Sequence, residues 1–171
     1  RGNPVTLEPY FEELAQGDEA LHHSRLAELS GMDSTEMEHL RHSWPSVPTD
    51  RRREMMSRLV TLAENDVNLD FDTIFRHALE DDDPVVRERA LSGLWECDDR
   101  TIIAPLMELL KTDPEAQVRA AAAVALGKFS ILAETGKILS RDGERIKELL
   151  LEVIDNPVES IEVRRRSLES V

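Results

Sequence analysis

The stretch Asp83-Pro84-Val85-Val86-Arg87 decides the fold, because its pattern returns twice further along the chain. It returns as Asp113-Pro114-Glu115-Ala116-Gln117-Val118-Arg119, and again as Asn156-Pro157 followed by Val163-Arg164. Each copy places a capping residue and a proline ahead of a segment with helical periodicity. A unit that returns every roughly 30 to 45 residues is typical of stacked helical hairpins, in which each unit buries its apolar face against the next.

A shared register extends each copy beyond its Val-Arg pair. A small residue stands four positions after the valine and an apolar residue stands eight positions after it, so both lie on one stripe of a helix. We expect this stripe to be buried, and the small residue to let a neighbouring helix approach closely. The pairs are Ala90 and Leu94, Ala122 and Leu126, and Ser167 and Val171, with a weaker fourth copy at Arg51-Arg52, Met55 and Leu59.

Capping signals divide the rest of the chain into further helices. Asp33-Ser34-Thr35-Glu36 is a capping box, and Thr6, Asp18, Asp70 and Asp142 stand where N-caps are expected. Residues 137–142 are expected to form a loop. The predicted helices are 7–16, 19–30, 34–44, 51–65, 71–80, 84–96, 100–111, 114–134, 143–155 and 157–171.

The segment 81–129 resembles the HEAT-like repeat family, of the type called PBS-lyase HEAT-like repeats. The resemblance extends to 143–171 and is weakest over 5–80. It implies an all-α fold, an α-solenoid with a right-handed superhelix built from antiparallel HEAT-like helical hairpins. It is carried by Asp83-Pro84, Val86-Arg87, Ala90, Leu94, Leu106, Leu109, Leu110, Asp113-Pro114, Val118-Arg119, Ala122, Ala123 and Leu126-Gly127.

The expected organisation is a single α-solenoid domain over residues 5–171. Residues 5–48 are expected to form irregular N-terminal capping helices, and 49–171 the HEAT-like repeats. The last predicted helix reaches Val171 with neither a C-cap nor a polar outer helix after it. Because a solenoid needs a polar cap at its end, we expect the repeats to continue beyond 171 or to be truncated there.

The resemblance also assigns roles to charged residues. In such repeats the aspartates and arginines of these segments usually contact neighbouring repeats in a ladder. The ladder residues are here Asp83, Arg87, Asp113, Arg119 and Arg164, and Arg52 shares their register. Anion binding by the same arginines is the alternative, and we favour the structural ladder.

The predicted second helices, 51–65, 84–97, 114–129 and 157–171, hold eleven Lys or Arg and eight Asp or Glu, in a chain whose net charge is −14. By the resemblance, second helices line the concave side of the solenoid. We therefore expect a neutral-to-basic groove suited to an acidic peptide segment. An ordinary solvated set of helix faces remains the alternative. The candidate groove residues are Arg53, Arg58, Glu88, Arg89, Arg165 and Arg166.

Composition excludes several other classes. A net charge of −14 repels phosphate backbones, which makes nucleic acid an unlikely partner. The sequence has no run of 18 apolar residues, so no membrane-spanning helix is predicted. Cys97 is the only cysteine, so no intramolecular disulfide can form, and a cytoplasmic location is expected.

No catalytic or metal constellation stands out either. His39 and His42 have a spacing that can hold a metal, but they lack a distant third ligand. The acidic run at 80–83 lacks the glycine and terminal glutamate of a calcium loop. No glycine-rich phosphate loop occurs, and Cys97 is expected to be a packing residue among acidic neighbours. We therefore predict no catalytic residues, no metal and no cofactor.

These observations favour a non-catalytic protein–protein interaction scaffold that binds a partner polypeptide on its concave face. An accessory or chromophore-lyase-like enzyme of the HEAT-like family is the alternative, and it rests on the family resemblance alone. Nucleic-acid binding is the least favoured class. The oligomeric state stays open.

Overall fold

The computed structural model describes residues 7–17 and 20–171, and every element within them is helical. The packing divides the chain into two compact units, one ending at Gly93 and one beginning at Leu94; the single domain over 5–171 stays a prediction. Short 3-10 turns at Trp44–Ser46, Leu94–Glu96 and Arg100–Ile102 accompany the α-helices. These are α1 Glu8–Gln16, α2 His23–Ala27, α3 Ser34–Ser43, α4 Thr49–Asn65, α5 Asp72–Ala78, α6 Pro84–Gly93, α7 Ile103–Thr112, α8 Ala116–Glu134, α9 Ser140–Asp155 and α10 Ile161–Glu169.

In the N-terminal unit, local capping sets where helices begin and end. The predicted capping box is present: the Asp33 carboxylate accepts from the amides of Thr35 and Glu36, and the Glu36 carboxylate accepts from the Asp33 amide, each at 2.9 Å. Gly17 ends α1 in the left-handed region with φ +74°. Helix α4 packs against α2 and α6, α1 packs against α3, and α5 packs against α6. The predicted caps Thr6 and Asp18 lie outside the described residues.

Helix α8 is central to the C-terminal unit and packs against α7, α9 and α10. Its residues Val118, Ala122 and Leu126 are fully buried. A Cβ added at Gly127 would lie 2.8 Å from Cβ and Oγ of Ser170, so glycine is what permits the close approach of the end of α10. The small residues predicted to allow tight helix packing do so here.

By length and composition, α8 is the one helix in the described part of the chain that is long and apolar enough to cross a membrane. Eight residues of α8 are buried, and three neighbouring helices pack against it. The apolar composition of α8 is accounted for by its place in the core of its unit.

The register predicted from the Val-Arg copies is confirmed in the cores. The valine and the residue four positions later are buried in every copy, as are Leu94 and Leu126. Val171 departs from the pattern and is 47% exposed. Helix α10 ends at Glu169, so Val171 lies beyond the helix and no longer belongs to its stripe.

The beginnings of the last two helices were predicted wrongly. Helix α9 begins at Ser140, so residues 140–142 are helical rather than loop, and Asp142 is a buried residue of the first turn rather than its cap. The Asp142 carboxylate accepts from Arg100 at 2.6 and 3.1 Å. Helix α10 begins at Ile161 rather than at 157, because Ser160 caps it by accepting from the Val163 amide.

Candidate functional site

The ladder arginines hold the turns before their own helices. Nη1 of Arg87 donates to the carbonyls of Asp81 at 2.8 Å and Asp82 at 3.1 Å. Nη1 of Arg119 donates to the carbonyls of Asp113 at 2.7 Å and Pro114 at 3.2 Å. The two arginines therefore make the same contacts, six and five residues back along the chain.

Two arginines in this register also pair with a carboxylate in the turn before the next second helix. Nη1 of Arg52 donates to Oδ2 of Asp81 at 2.7 Å, and Asp81 precedes α6. Arg119 donates through Nε and Nη2 to the two oxygens of Glu159 at 2.8 and 2.7 Å, and Glu159 precedes α10. The hydrogen bonds from Arg119 hold the pKa of Glu159 below its usual range.

Asp83 has a different partner from the one expected of a ladder. It caps α6 by accepting from the amides of Val85 and Val86 at 3.1 Å. Its carboxylate also accepts from Nε and Nη2 of Arg53 at 2.9 and 2.5 Å. This bidentate pair lowers the pKa of Asp83 to about 2. Arg53, a candidate groove residue, thus serves as the ionic partner of the α6 cap.

The other candidate groove arginines are engaged within their own units as well. Arg58 donates to the Leu21 carbonyl at 2.8 Å, and Arg89 donates to the Arg53 carbonyl at 2.5 Å. Arg165 and Arg166 form ion pairs with Glu162 and Glu169 at 2.9 to 3.5 Å. Glu88 is half-buried on α6. The groove role of these six residues stays a prediction, and local acceptors offset much of the positive charge on which it depends.

The outer face of α10, defined by Ile161, Arg165 and Leu168, is exposed. Ile161 is 82% and Leu168 65% exposed, and the Arg165 side chain lies between them at 52%. Positions i, i+4 and i+7 share one side of a helix, so the three form a single stripe. Sequence reasoning placed Arg165 on a binding face and missed its two apolar neighbours.

The same register position is buried in the other second helices. The residue that corresponds to Leu168 is Met56 in α4, Leu91 in α6 and Ala123 in α8, with exposures of 0, 3 and 0%. In α8 this stripe continues to Gly127, which meets Ser170 of the last hairpin. In α8 this stripe thus lies against the hairpin that follows.

Arg164 borders this face and differs from its register equivalents. Its Nε donates to the carbonyl of Ile154, in the last turn of α9, at 2.8 Å. Within residues 7–17 and 20–171, no carboxylate lies within ion-pair distance of it, and its terminal amino groups have no acceptor. Its side chain is half-buried. The ladder role predicted for Arg164 is thus realised only as a cap on α9.

A cavity of about 290 Å³ lies in the N-terminal unit and was not predicted. It is lined by residues from separate segments of the chain, so no local sequence pattern predicts it. Arg25 lies 4.5 Å from the centre of the Tyr10 ring and donates to Glu13 at 3.3 Å. Burial is the main cause that raises the pKa of Tyr10. The lining residues are Tyr10, Glu13, Ala20, His22, Arg25 and Arg51.

The weaker sequence candidates have ordinary contacts. Nδ1 of His39 lies 3.1 Å from Oε1 of Glu8 across the α1–α3 pair. Cys97 is buried, as predicted for a packing residue. In the part of the chain that the structure describes, no group of three or more His, Cys, Asp or Glu could hold a metal ion.

Comparison with known proteins gives one match. A family model described as HEAT repeats matches residues 73–171, which is more than half of the chain. The match covers α6 to α10 and confirms the all-α, HEAT-like α-solenoid class predicted from the sequence. The narrower PBS-lyase type stays a prediction. No curated protein and no solved structure matches the chain.

Proposed function

This chain belongs to the HEAT-repeat family, and from that premise we propose that it is a scaffold that binds a partner protein through the outer face of α10. HEAT repeats generally mediate protein–protein interactions. The family sets the class of function, and the choice of α10 comes from the residues that this helix exposes.

The observation that carries the proposal is the exposure of Leu168 at a register position that other second helices bury, with the exposed Ile161 on the same side of α10. Full burial of one such side chain is worth about 1.5–3 kcal/mol, so the stripe offers a partner substantial binding energy. Two large aliphatic side chains seven residues apart on one face of a helix are also the pattern that a hydrophobic groove recognises. The stripe thus has the energy and the geometry of a small hot spot.

The candidate groove arginines contribute less in this account. Arg165 lies within the stripe, but Glu162 and Glu169 already pair with it and with Arg166. Exposed ion pairs of this kind are worth about 0–1 kcal/mol. We assign Arg165 to orientation of the partner at the rim of the stripe, and the apolar residues to affinity.

The proposal includes no catalytic step, since HEAT-repeat proteins are typically non-catalytic scaffolds. It also includes the cytoplasmic location expected from a single cysteine. The proposal also keeps the expectation of an acidic peptide, which was predicted from the charge of the second helices: the segment of the partner that docks is acidic.

The test compares a face variant with a charge-matched control. The face variant is Ile161→Asp with Leu168→Asp, and the control is Val67→Asp with Ile131→Asp, two positions that are 94% and 62% exposed elsewhere. Each tagged protein is used to capture partners from source-cell lysate at physiological salt, with quantification by mass spectrometry. Circular dichroism and thermal unfolding verify that both variants fold.

We expect a stoichiometric protein partner with wild type and the control, and a loss of at least about tenfold with the face variant, which corresponds to roughly 1.4 kcal/mol. A partner that the face variant retains would place the binding surface elsewhere. Capture of no protein by any of the three would remove the scaffold function itself.

A further inference from the structure

We infer that His77 makes the N-terminal unit sensitive to acid: when its imidazole takes up a second proton, the contact between α3 and α5 opens. His77 lies in α5, and the helices that pack against α5 include α3 and α6. This behaviour is separate from the proposed scaffold function and does not depend on the outer face of α10.

The imidazole of His77 has one nitrogen that is buried without a hydrogen-bond partner. Its Nε2 is shielded from solvent, and no donor or acceptor in residues 7–17 and 20–171 lies within hydrogen-bond distance of it. A neutral imidazole carries an N–H on one nitrogen only, whereas an imidazolium carries one on each. A buried donor that lacks an acceptor costs free energy, so this environment accommodates the neutral ring and disfavours the cation.

The burial of Nε2 also limits where an acceptor can come from. Nothing outside the unit reaches this nitrogen while the ring stays in place, because the atom is closed off from solvent. The side chain as a whole is only half-buried, and the exposed Glu80 follows three residues later in the turn that ends α5. A charged ring that leaves the α3 contact therefore gains water and the Glu80 carboxylate as acceptors.

Trp44 fixes the His77 ring from the side of α3, the helix that it directly follows. The two rings meet edge to face, with centroids 5.7 Å apart and an interplanar angle of 71°. The buried indole donates through Nε1 to Oδ2 of Asp81 at 2.6 Å, and the same oxygen accepts from Arg52 at 2.7 Å. A shift of Trp44 that made room for an acceptor would break its bond to Asp81.

The charged groups around the ring act in both directions. Arg41 of α3 repels a cationic ring, whereas Glu80 and Asp81, in the turn between α5 and α6, attract it. Helix α6 approaches α5 through Gly93 and Phe75, which carry no charge. Burial is the largest influence and Arg41 adds to it, so together they hold the pKa of the imidazole below its usual range.

The sign of the pH effect follows from this difference between the closed and the open unit. An unfolded histidine titrates near pH 6.5, and the closed unit holds His77 neutral to a lower pH. The stability that depends on the neutral ring is thus complete above about pH 6.5 and is lost as the pH falls through the pKa of the closed unit. Between the two values, the ratio of open to closed unit rises by up to about tenfold per pH unit, since opening takes up one proton.

The first experiment is an NMR titration of the whole chain. The Cε1–Hε1 signals of the histidines are followed in the folded protein and in urea, and the His77→Gln spectrum assigns the signal of His77. We expect the midpoint of His77 to lie lower in the folded protein than in urea. A folded midpoint equal to or above the unfolded one would overturn the inference.

The second experiment locates the opening. Amide hydrogen exchange is measured at about pH 7.5 and 5.5, and each rate is divided by its intrinsic chemical rate. We expect the amides of α3 and α5 to open at least about threefold more often at the lower pH, and those of α8, in the other unit, to change little. An equal change in α3, α5 and α8 would contradict a local contact at His77.

Three variants assign the effect to one side chain. His77→Gln and His77→Phe both remove the titrating group, and the phenyl ring of the second leaves no buried polar atom unpaired, which favours folding. His42→Gln removes an exposed imidazole from α3 and is the control. We expect the pH-dependent opening to vanish in both His77 variants and to persist in the control. Opening that persists in either His77 variant would assign the acid sensitivity to another group and refute the inference.

Discussion

Helices α8 and α10 place one register in two different settings. In α8 the stripe through Ala120, Ala123 and Gly127 is buried, and the end of the last hairpin lies directly against its glycine. In α10 the same stripe is made of Ile161, Arg165 and Leu168 and is exposed. The repeat pattern thus specifies the face that each hairpin buries for itself, whereas the second face depends on what lies next to it.

The arginines that border the two stripes also differ in their hydrogen-bond partners. Arg119 is held by two carbonyls of its own turn and by both oxygens of Glu159. Arg164 is held by one carbonyl of α9. A buried stripe thus accompanies an arginine–carboxylate pair on α8, whereas an exposed stripe accompanies a single arginine–carbonyl contact on α10.

The largest expected effect separates the inner and outer faces. Leu126→Ala should lower the free energy of unfolding by about 2–5 kcal/mol, because Leu126 is fully buried; Leu94→Ala should fall in the same range. Leu168→Ala should change it by less than about 0.5 kcal/mol. Urea unfolding measures all three. A cost at Leu168 equal to that at Leu126 would mean that the outer face is covered in solution.

The close approach at Gly127 gives the next effect. Gly127→Ala should cost about 1–3 kcal/mol, because the new Cβ would lie 2.8 Å from side-chain atoms of Ser170. Ser170→Gly should recover part of this loss in the double variant, which a double-mutant cycle measures. Simple additivity of the two changes would contradict the contact between these residues.

The stability costs of Arg119→Ala and Arg164→Ala should differ less than those of Leu126→Ala and Leu168→Ala. Arg119→Ala should cost about 2 kcal/mol, since it leaves Glu159, whose side chain is 10% exposed, without its cation. Arg164→Ala should cost about 0.5–1 kcal/mol, the value of one hydrogen bond to a carbonyl. Chemical unfolding of both variants checks the ranking, and a larger loss at Arg164 would show that it has a partner after all.

The smallest effect is a pH dependence of the N-terminal unit. Arg53 lowers the pKa of Asp83 from 3.8 to about 2, so the folded state favours the ionised carboxylate. The resulting stability is present above about pH 4 and is lost as the pH falls towards 2. We expect about 1 kcal/mol, since solvent screens the partly exposed Arg53. Asp83→Asn should flatten the acid limb of the stability profile, and an unchanged limb would contradict this assignment.

Much of the fold followed from the sequence because its signals are local. The Asp33 capping box and the offsets from Val118 to Ala122 and Leu126 depend on neighbours along one helix. The errors arose where another interaction competed. Asn156 binds the Val158 amide and delays α10 to Ile161, and the distant Arg100 gives Asp142 a partner inside a helix.

The candidate site was harder to predict for a physical reason. Charge pattern drew attention to Arg53 and Arg165, but it does not reveal that Asp83 or Glu162 lies within bonding distance. Residue size at this register position was no guide either, because Met56 and Leu91 are buried there although they are about as bulky as the exposed Leu168. Exposure of that leucine depends on which helices are adjacent, and this is a property of the folded chain.

The central claim, that the outer face of α10 binds a partner protein, is tested most directly by site-specific photo-crosslinking. A photoreactive amino acid is placed at Leu168 in one protein and at Val67 in another, and both are irradiated in source-cell lysate. We expect one major cross-linked protein at position 168 and none at position 67. Equal yields at the two positions, or a product at 67 alone, would contradict it.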